Sequence, residues 1–305
     1  MKLESIKSRV KHLIGENIVN DMISHLTNST ISLWGENQIC HYRENWLYFV
    51  LYRDIEDCPI YAYNDIEELS TVGHTSIRHN VDSIRNELFE WAQRHIVLGN
   101  QNSWNAVLRG VKFPAGLEAV NLWVDSVDFP IEARKGDVSR KDDYSYKLGT
   151  TGARFMTIQD GRGVIVKLWG NYSPKWYDSH YLNAFDSFFR ESMYGAHICG
   201  DNHFSTALKD IHGVHMYTNR VIQDSSKEKR KHGAQSDDTP TTLRKADQDW
   251  NKKHQVVRSR VETPYGHVTN LFSSLRVKWR DTKQQLKNLI YYAFAIHNMI
   301  RIQNA

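Results

Sequence analysis

The apolar positions of the first hundred residues recur at helical spacing. Leu3, Ile6, Val10, Leu13 and Ile14 share one face, and Ile18, Met22, Ile23 and Leu26 another, with Gly15 between them. This predicts two short helices. Trp46 to Tyr52 is a continuous apolar run, and with Arg43, Glu44 and Arg53 at its flanks and Pro59 beyond, it reads as a third helix. Asn64-Asp65 has the chemistry of an N-cap ahead of Ile66 and Leu69. After the turn Thr71 to His74, a longer helix carries Ile77, Val81, Ile84, Leu88 and Trp91 at steps of four, three, four and three. Two helices joined by a short turn fit a helix-turn-helix over residues 64–98, with Thr75, Ser76, Arg78 and His79 in the first turn of the helix that would enter a DNA groove. They fit an αα-hairpin of a helical bundle equally well. Residues 1–100 are therefore expected to form a small all-α domain, and Gly99, Gly110, Pro114 and Gly116 mark 101–116 as a linker.

From Val120 the pattern changes from helical to strand-like. Val120 to Val124 reads as a buried strand whose apolar run ends on Asp125, with Pro130 closing the strand. A turn aspartate accounts for Asp125 by itself, so the pattern downstream decides its meaning. Two β-rich runs, Ala153 to Gln159 and Gly163 to Trp169, flank Asp160-Gly161-Arg162, a hairpin signal that predicts a three-stranded antiparallel meander starting at the Asp125 strand. Asp178-Ser179 can cap a helix with Tyr181, Leu182, Phe185, Phe188 and Phe189, which leads to a fourth short apolar run, Ala196 to Cys199, ending at Gly200-Asp201. A helix at this point lets the fourth strand lie parallel beside the first through a right-handed crossover, making Asp125 and Asp201 neighbours. Asp178 is the rival for the second carboxylate, but a helix start gives it a structural role.

Residues 223–246 hold few large apolar side chains and include Lys227 to His232, which predicts a mobile basic loop. A helical region from about Thr241 carries Arg258 and Glu262, with Pro264 bending or interrupting it. Val268, Leu271, Phe272 and Leu275 continue an apolar stripe, and Leu286 to Ile302 reads as the last helix. Arg276, Lys278, Arg280, Lys283 and Lys287 form a basic group that fits a phosphate-tracking patch and a solvated helix face equally.

Composition narrows the classes. The chain has 305 residues, 40% hydrophobic, enough for cores in one large and one small domain. With 39 Lys and Arg against 35 Asp and Glu it is mildly basic, which is compatible with nucleic acid. Cys40, Cys58 and Cys199 form no CxxC pair, which argues against a disulfide framework or zinc ribbon and for a reducing compartment. His212-Gly213-Val214-His215 reads as loop histidines. No run approaches a membrane span and the start lacks the form of a signal peptide, so a soluble, non-secreted protein is expected. Asp125, Asp201 and Glu262, on two strands and a helix, supply what two-metal phosphoryl transfer needs: hard oxygen ligands that can hold divalent ions close together.

Five motifs stand in a fixed order: Asp125 with Phe129-Pro130-Ile131, Tyr177-Asp178-Ser179 at a helix start, Gly200-Asp201 ahead of Phe204, Arg258-x-x-x-Glu262 with Tyr265 and Gly266, and His297-Asn298. In these the segment from about Val120 to Ile300 resembles the DDE superfamily endonuclease domain of PIF/Harbinger and IS5-type transposases, and the first hundred residues resemble the helix-turn-helix domain that often precedes it. The resemblance implies an α/β, RNase H-like mixed sheet with flanking helices over 117–305. It implies two Mg²⁺ or Mn²⁺ ions on Asp125, Asp201 and Glu262. It also implies cutting and joining of double-stranded DNA at transposon ends by a homo-oligomer, with an accessory DNA-binding protein as a further partner and no membrane. The location would be the nucleus in a eukaryotic host and the cytoplasm otherwise. Arg258, Arg276, Lys278 and Arg280 join Thr75, Ser76, Arg78 and His79 as candidate DNA contacts. The family usually has a basic residue seven positions after the catalytic Glu, where this chain has Thr269, so weaker phosphate gripping is expected unless Arg276 and Lys278 substitute. The other class to weigh is a non-cutting DNA-binding or partner-binding protein derived from such a transposase.

Overall fold

The elements in chain order are α1 (Leu3–Ile14), α2 (Glu16–Asn28), α3 (Ile39–Glu56), α4 (His74–Gln93) and α5 (Gln101–Ala106), then β1 (Leu122–Pro130), β2 (Tyr144–Ser145), β3 (Thr150–Gln159) and β4 (Ile165–Tyr172). They continue with α6 (Asp178–Ala184), α7 (Asp186–Ser192), β5 (Ala196–Cys199), β6 (Val214–Tyr217), α8 (Lys245–Arg258), α9 (Thr263–Leu271) and α10 (Lys283–Gln303). The structure, a computed structural model, describes residues 2–28, 39–58, 74–132, 141–208, 211–220 and 245–304. The helix expected at Asn64-Asp65, with the turn after it, and the basic loop through residue 244 lie outside the described residues. The elements form a mixed α/β protein of two compact units, one from residues 1–99, 126–176 and 262–305, the other from 100–125 and 177–261.

In the first unit, residues 1–99 share one core with residues from later in the chain. The stripe Ile77, Val81, Ile84, Leu88 and Trp91 of α4 is buried in one core with α1–α3 and α10. The reason lies in α10, where Leu286, Leu289, Ile290, Tyr292, Ala293, Phe294, Ala295 and Ile296 are all buried, while Gln284 and Ile302 of the same helix are exposed. An apolar stripe this wide needs cover from more than one neighbour. Polar contacts fix the same packing: Asn288 Nδ2 donates to Asn86 Oδ1 at 2.6 Å, and the buried Arg85 pairs with Asp54 of α3, which also accepts from the Tyr292 hydroxyl.

The meander appears as expected. β3 and β4 pair antiparallel, Met156 opposite Trp169, and β1 is the other neighbour of β3. In the turn, Asp160 Oδ1 accepts from the backbone of Arg162 and Val164, while Gly163 takes φ 78°. The left-handed residue is therefore Gly163, with Asp160 acting as a side-chain mimic of the turn carbonyl. The closing His-Asn pair ties this hairpin to α10. Asn298 Oδ1 accepts from Ile165 N at 2.7 Å and its Nδ2 donates to Ile165 O and His95 O, while His297 Nε2 lies 2.9 Å from Gly163 O. β2, two residues long, has too little apolar pattern to be read from sequence.

In the second unit, the expected linker 101–116 carries α5, whose start is closed by a reciprocal pair between Asn100 and Ser103 and whose Trp104 is buried. β5 pairs parallel with β1, as expected, but also with β6, which the sequence reading took as loop histidines: His215 stands opposite His197. Val-His-Met-Tyr has no apolar run, and only its partner strand makes it a strand. The helix expected from Asp178 is two helices meeting at Phe185, and Asp178 is the first helical residue, with Tyr177 at the N-cap. Along the chain, the α-helical pattern of α8 gives way to a 3-10 turn, Ser259–Glu262, before α9. Pro264, with no N–H and a ring that crowds the carbonyl four residues back, accounts for that interruption.

Asn298→Ala should strip partners from both backbone groups of Ile165 and cost about 2–6 kcal/mol, one to three per buried group left unpaired, read by urea unfolding. Burial pushes the His297 imidazole down to about 4. Because the unfolded chain takes up this proton first, stability should fall as pH drops from about 6.5 to about 4 and then level off. His297→Gln should flatten that slope in melts taken across the same range.

Candidate metal centre

The register of β1 on β5 is set at Asn121. Its backbone N–H donates to His197 O, its Oδ1 accepts from His197 N, both at 2.9 Å, and its Nδ2 donates to Gly195 O and Asn105 Oδ1. Leu122 then stands opposite Ile198 and Trp123 opposite Cys199. Side chains alternate along a strand, so residues two apart share a face. Trp123 and Cys199 both face α8: Trp123 Nε1 donates to Val257 O at 2.8 Å, and Cys199 Sγ lies 3.3 Å from His254 Nε2. Asp125 is two residues beyond Trp123, and Asp201 two residues beyond Cys199. The paired register ends at Trp123 and Cys199, and each strand's carboxylate follows two positions later.

Asp125 is buried and lies inside β1, not at its end; Arg258 of α8 brings Nη2 to 3.8 Å from its Oδ2. Arg258 Nε is buried with no hydrogen-bond partner among the described residues. Asp201 keeps an extended backbone, φ −78° and ψ −179°, and caps the 3-10 turn Asn202–Phe204 through Oδ1, which accepts from His203 N at 2.8 Å. That leaves its second oxygen for another ligand. Gly200 joins the two: its N–H donates to Tyr217 O, and a Cβ there would meet Val124 Cγ1 and Phe204 Cδ2, each at 2.9 Å. Only glycine passes this point without displacing Asp201.

The donor set suits a hard cation. Carboxylates such as Asp125 and Asp201 offer the oxygens that Mg²⁺ and Mn²⁺ prefer. The nearby soft donor is out of play, because burial pushes the Cys199 thiol up to about 12 and a protonated thiol is a poor ligand. Burial likewise pushes His254 down, so it stays neutral against Cys199 and Tyr217 O, at 3.2 Å. Among the described residues no three His, Cys, Asp or Glu gather as a metal cluster. Glu262 ends the 3-10 turn four residues after Arg258, with its side chain outside the described residues. Asp178 is buried at the first position of α6. Asn121, which sets the register, left no signal in a single sequence, and the Gly200-Asp201 motif did not show the close approach that Gly200 permits.

Of the candidate DNA contacts, Ser76, Arg78 and His79 are exposed on α4, with Arg78 Nη2 3.2 Å from Asp281; Thr75 is helical, its side chain outside the described residues. Arg276 folds back on the end of α9, donating to Thr269 O at 2.7 Å and Asn270 Oδ1 at 2.6 Å. A guanidinium thus lies beside Thr269, where the resemblance expects a basic side chain. Lys278 and Arg280 are exposed, Arg280 3.9 Å from Glu132. Lys283 is bound to Asp143 and Lys287 lies over Phe89 and Tyr291, so these two of the basic group serve packing. No helix among the described residues is long and apolar enough to cross a membrane.

Gly200→Ala should cost about 1–3 kcal/mol through overpacking, read by urea denaturation. By moving Asp201 it should also weaken binding of Mg²⁺ or Mn²⁺ in calorimetry.

The model of one protein family, described as DDE superfamily endonuclease, matches residues 124–298, more than half of the chain. No curated protein and no solved structure matches. The matched segment begins one residue before Asp125, spans Asp201, Arg258 and Glu262, and ends on Asn298. Endonucleases of this kind are transposase-like nucleases that act on DNA, generally with divalent metals. The chain belongs to the DDE superfamily endonucleases.

Proposed function

We propose that the chain is a transposase-type DNA endonuclease and strand-transferase whose metal ligands are Asp125, Asp201 and Glu262. The observation that carries this reading is the β1–β5 register, in which both aspartates stand two positions beyond the pair Trp123 and Cys199. Arg258, 3.8 Å from Asp125, brings the segment just before Glu262 to the same strand. Two bound Mg²⁺ or Mn²⁺ ions would activate the attacking water or 3′-hydroxyl and stabilise the leaving oxygen. Asp125 and Asp201 would hold the ions, Glu262 would complete the set, and Arg258 would turn its unpaired Nε–H toward a phosphate oxygen of the DNA.

The fold reading is RNase H-like. It is supported by a β1 strand with the β3–β4 hairpin among the neighbours of its later residues and a parallel β5–β6 pair on its earlier ones. For DNA contacts the reading takes the exposed Ser76, Arg78 and His79 with Thr75 on α4, and Arg276, Lys278 and Arg280 around α9. A helix-turn-helix and assembly as a homo-oligomer on transposon ends belong to the same proposal. The alternative, a binding protein that no longer cuts, keeps the fold and predicts DNA binding with no metal-dependent cleavage.

The test is cleavage of DNA carrying the element's own ends, with and without Mg²⁺. Asp125→Asn, Asp201→Asn and Glu262→Gln should each lower the rate at least ~100-fold, beyond what loss of an outer-shell partner of a metal costs. Duplex binding should remain. Mg²⁺ or Mn²⁺ should raise the melting temperature of the wild type and do so less in these variants, because the ion binds the folded state and relieves carboxylate repulsion. Cleavage by all three variants at the wild-type rate would remove the assignment.

A further inference from the structure

In the first unit three large aromatic side chains are left in solvent: Tyr146 at 88% exposure, Trp176 at 51% and Tyr144 at 38%. Tyr144 and Tyr146 meet edge to face at 5.3 Å on the turn between β2 and β3, while Trp176 ends the loop after β4. The two carriers are held together. The Ser173 hydroxyl donates to Asp142 O, and Lys175 Nζ lies 3.2 Å from Asp142 Oδ1.

Both are also anchored to β1 by one buried carboxylate. Asp128 accepts from Ser145 Oγ at 2.6 Å and from Arg154 Nε and Nη2 at 2.7 and 2.9 Å, and Arg154 Nη1 donates to Trp176 O at 2.9 Å. Ser145 is fully buried between Tyr144 and Tyr146, so the aromatic turn is tied down at its centre. On the same turn Lys147 donates to Ser126 O at 3.3 Å, the residue after Asp125 in the chain. Lys141, Lys147 and Lys175 are exposed on the same two segments, as is Asp142.

Exposed rings held by a buried ion pair, with exposed amino groups on the same segments, match the two demands of an unpaired DNA strand: faces for its bases and cations for its phosphates. A paired duplex hides its base faces and offers these rings nothing to stack on. We propose that Tyr144, Tyr146 and Trp176, with Lys147 and Lys175, form a stacking surface for unpaired bases of the DNA substrate. This deepens the nuclease reading and rests on it.

The test uses the full chain in EDTA, with fluorescence anisotropy on a blunt duplex and on the same duplex bearing a short oligothymidine tail. The wild type should bind the tailed duplex about tenfold more tightly or better, the scale set by stacking of a single base. Tyr146→Ala with Trp176→Ala should lose that preference while keeping blunt-duplex affinity and melting temperature, and Tyr146→Phe should keep it. Equal binding of tailed and blunt DNA by the wild type, or an undiminished preference in the double variant, overturns the proposal; the surface would then fit a protein partner. If Mg²⁺-dependent cleavage persists under either result, the nuclease reading stands and this inference alone falls. If the wild type neither binds nor cuts DNA, both fall.

Discussion

Parallel pairing of β1 with β5 is the constraint on which the candidate centre depends. A strand's side chains alternate, so a slip of one residue would turn Asp125 or Asp201 to the opposite face and separate them. Asn121 guards against that slip by pairing with His197 through backbone and side chain together, and its amide also satisfies Gly195 and Asn105. The carboxylates are thus positioned by a residue four places before the first of them. Gly200 adds the second condition, since its missing Cβ lets the chain pass between Val124 and Phe204 on its way to Asp201.

Around these acids the protein has arranged groups that do not compete with them. Cys199 and His254 would be metal ligands in another setting. Here burial keeps the thiol protonated and the imidazole neutral, with His254 Nε2 against Cys199 Sγ and Tyr217 O. Among the described residues His254 Nδ1 and Arg258 Nε are buried without a hydrogen-bond partner. The charge of Arg258 lies beside Asp125, 3.8 Å away.

The first unit follows a different rule. Its organiser is α10, whose wide apolar stripe draws α1–α4 into a common core with the β3–β4 hairpin. Several charged groups inside that core are matched, Arg85 to Asp54, Asp54 to Tyr292 and Arg43 to Glu87, while Arg53 Nε and Nη1 are buried without a hydrogen-bond partner among the described residues. Removing one partner of such a buried pair is far more costly than the pair is stabilising, which ties α3, α4 and α10 to one another. An α4 held in this way presents its exposed face from a rigid base.

The sequence alone determined the helices at its start, the hairpin and the parallel fourth strand, because each rests on a local periodicity or a turn chemistry that short stretches carry in full. It also carried the family, through the order of its motifs. It did not determine that residues 1–99 share a core with residues near 290, because an amphipathic stripe states that a face is buried and not what buries it. β6 was missed for the same reason: Val214 to Tyr217 becomes a strand through β5, not through its own pattern. His297-Asn298 could be recognised as a motif, but its work of pinning Gly163 and Ile165 became visible only when folding brought residues more than a hundred apart into hydrogen-bond distance. Arg276 beside Thr269 is the converse case, a charge missing at one position of the sequence and supplied by the fold from seven residues away.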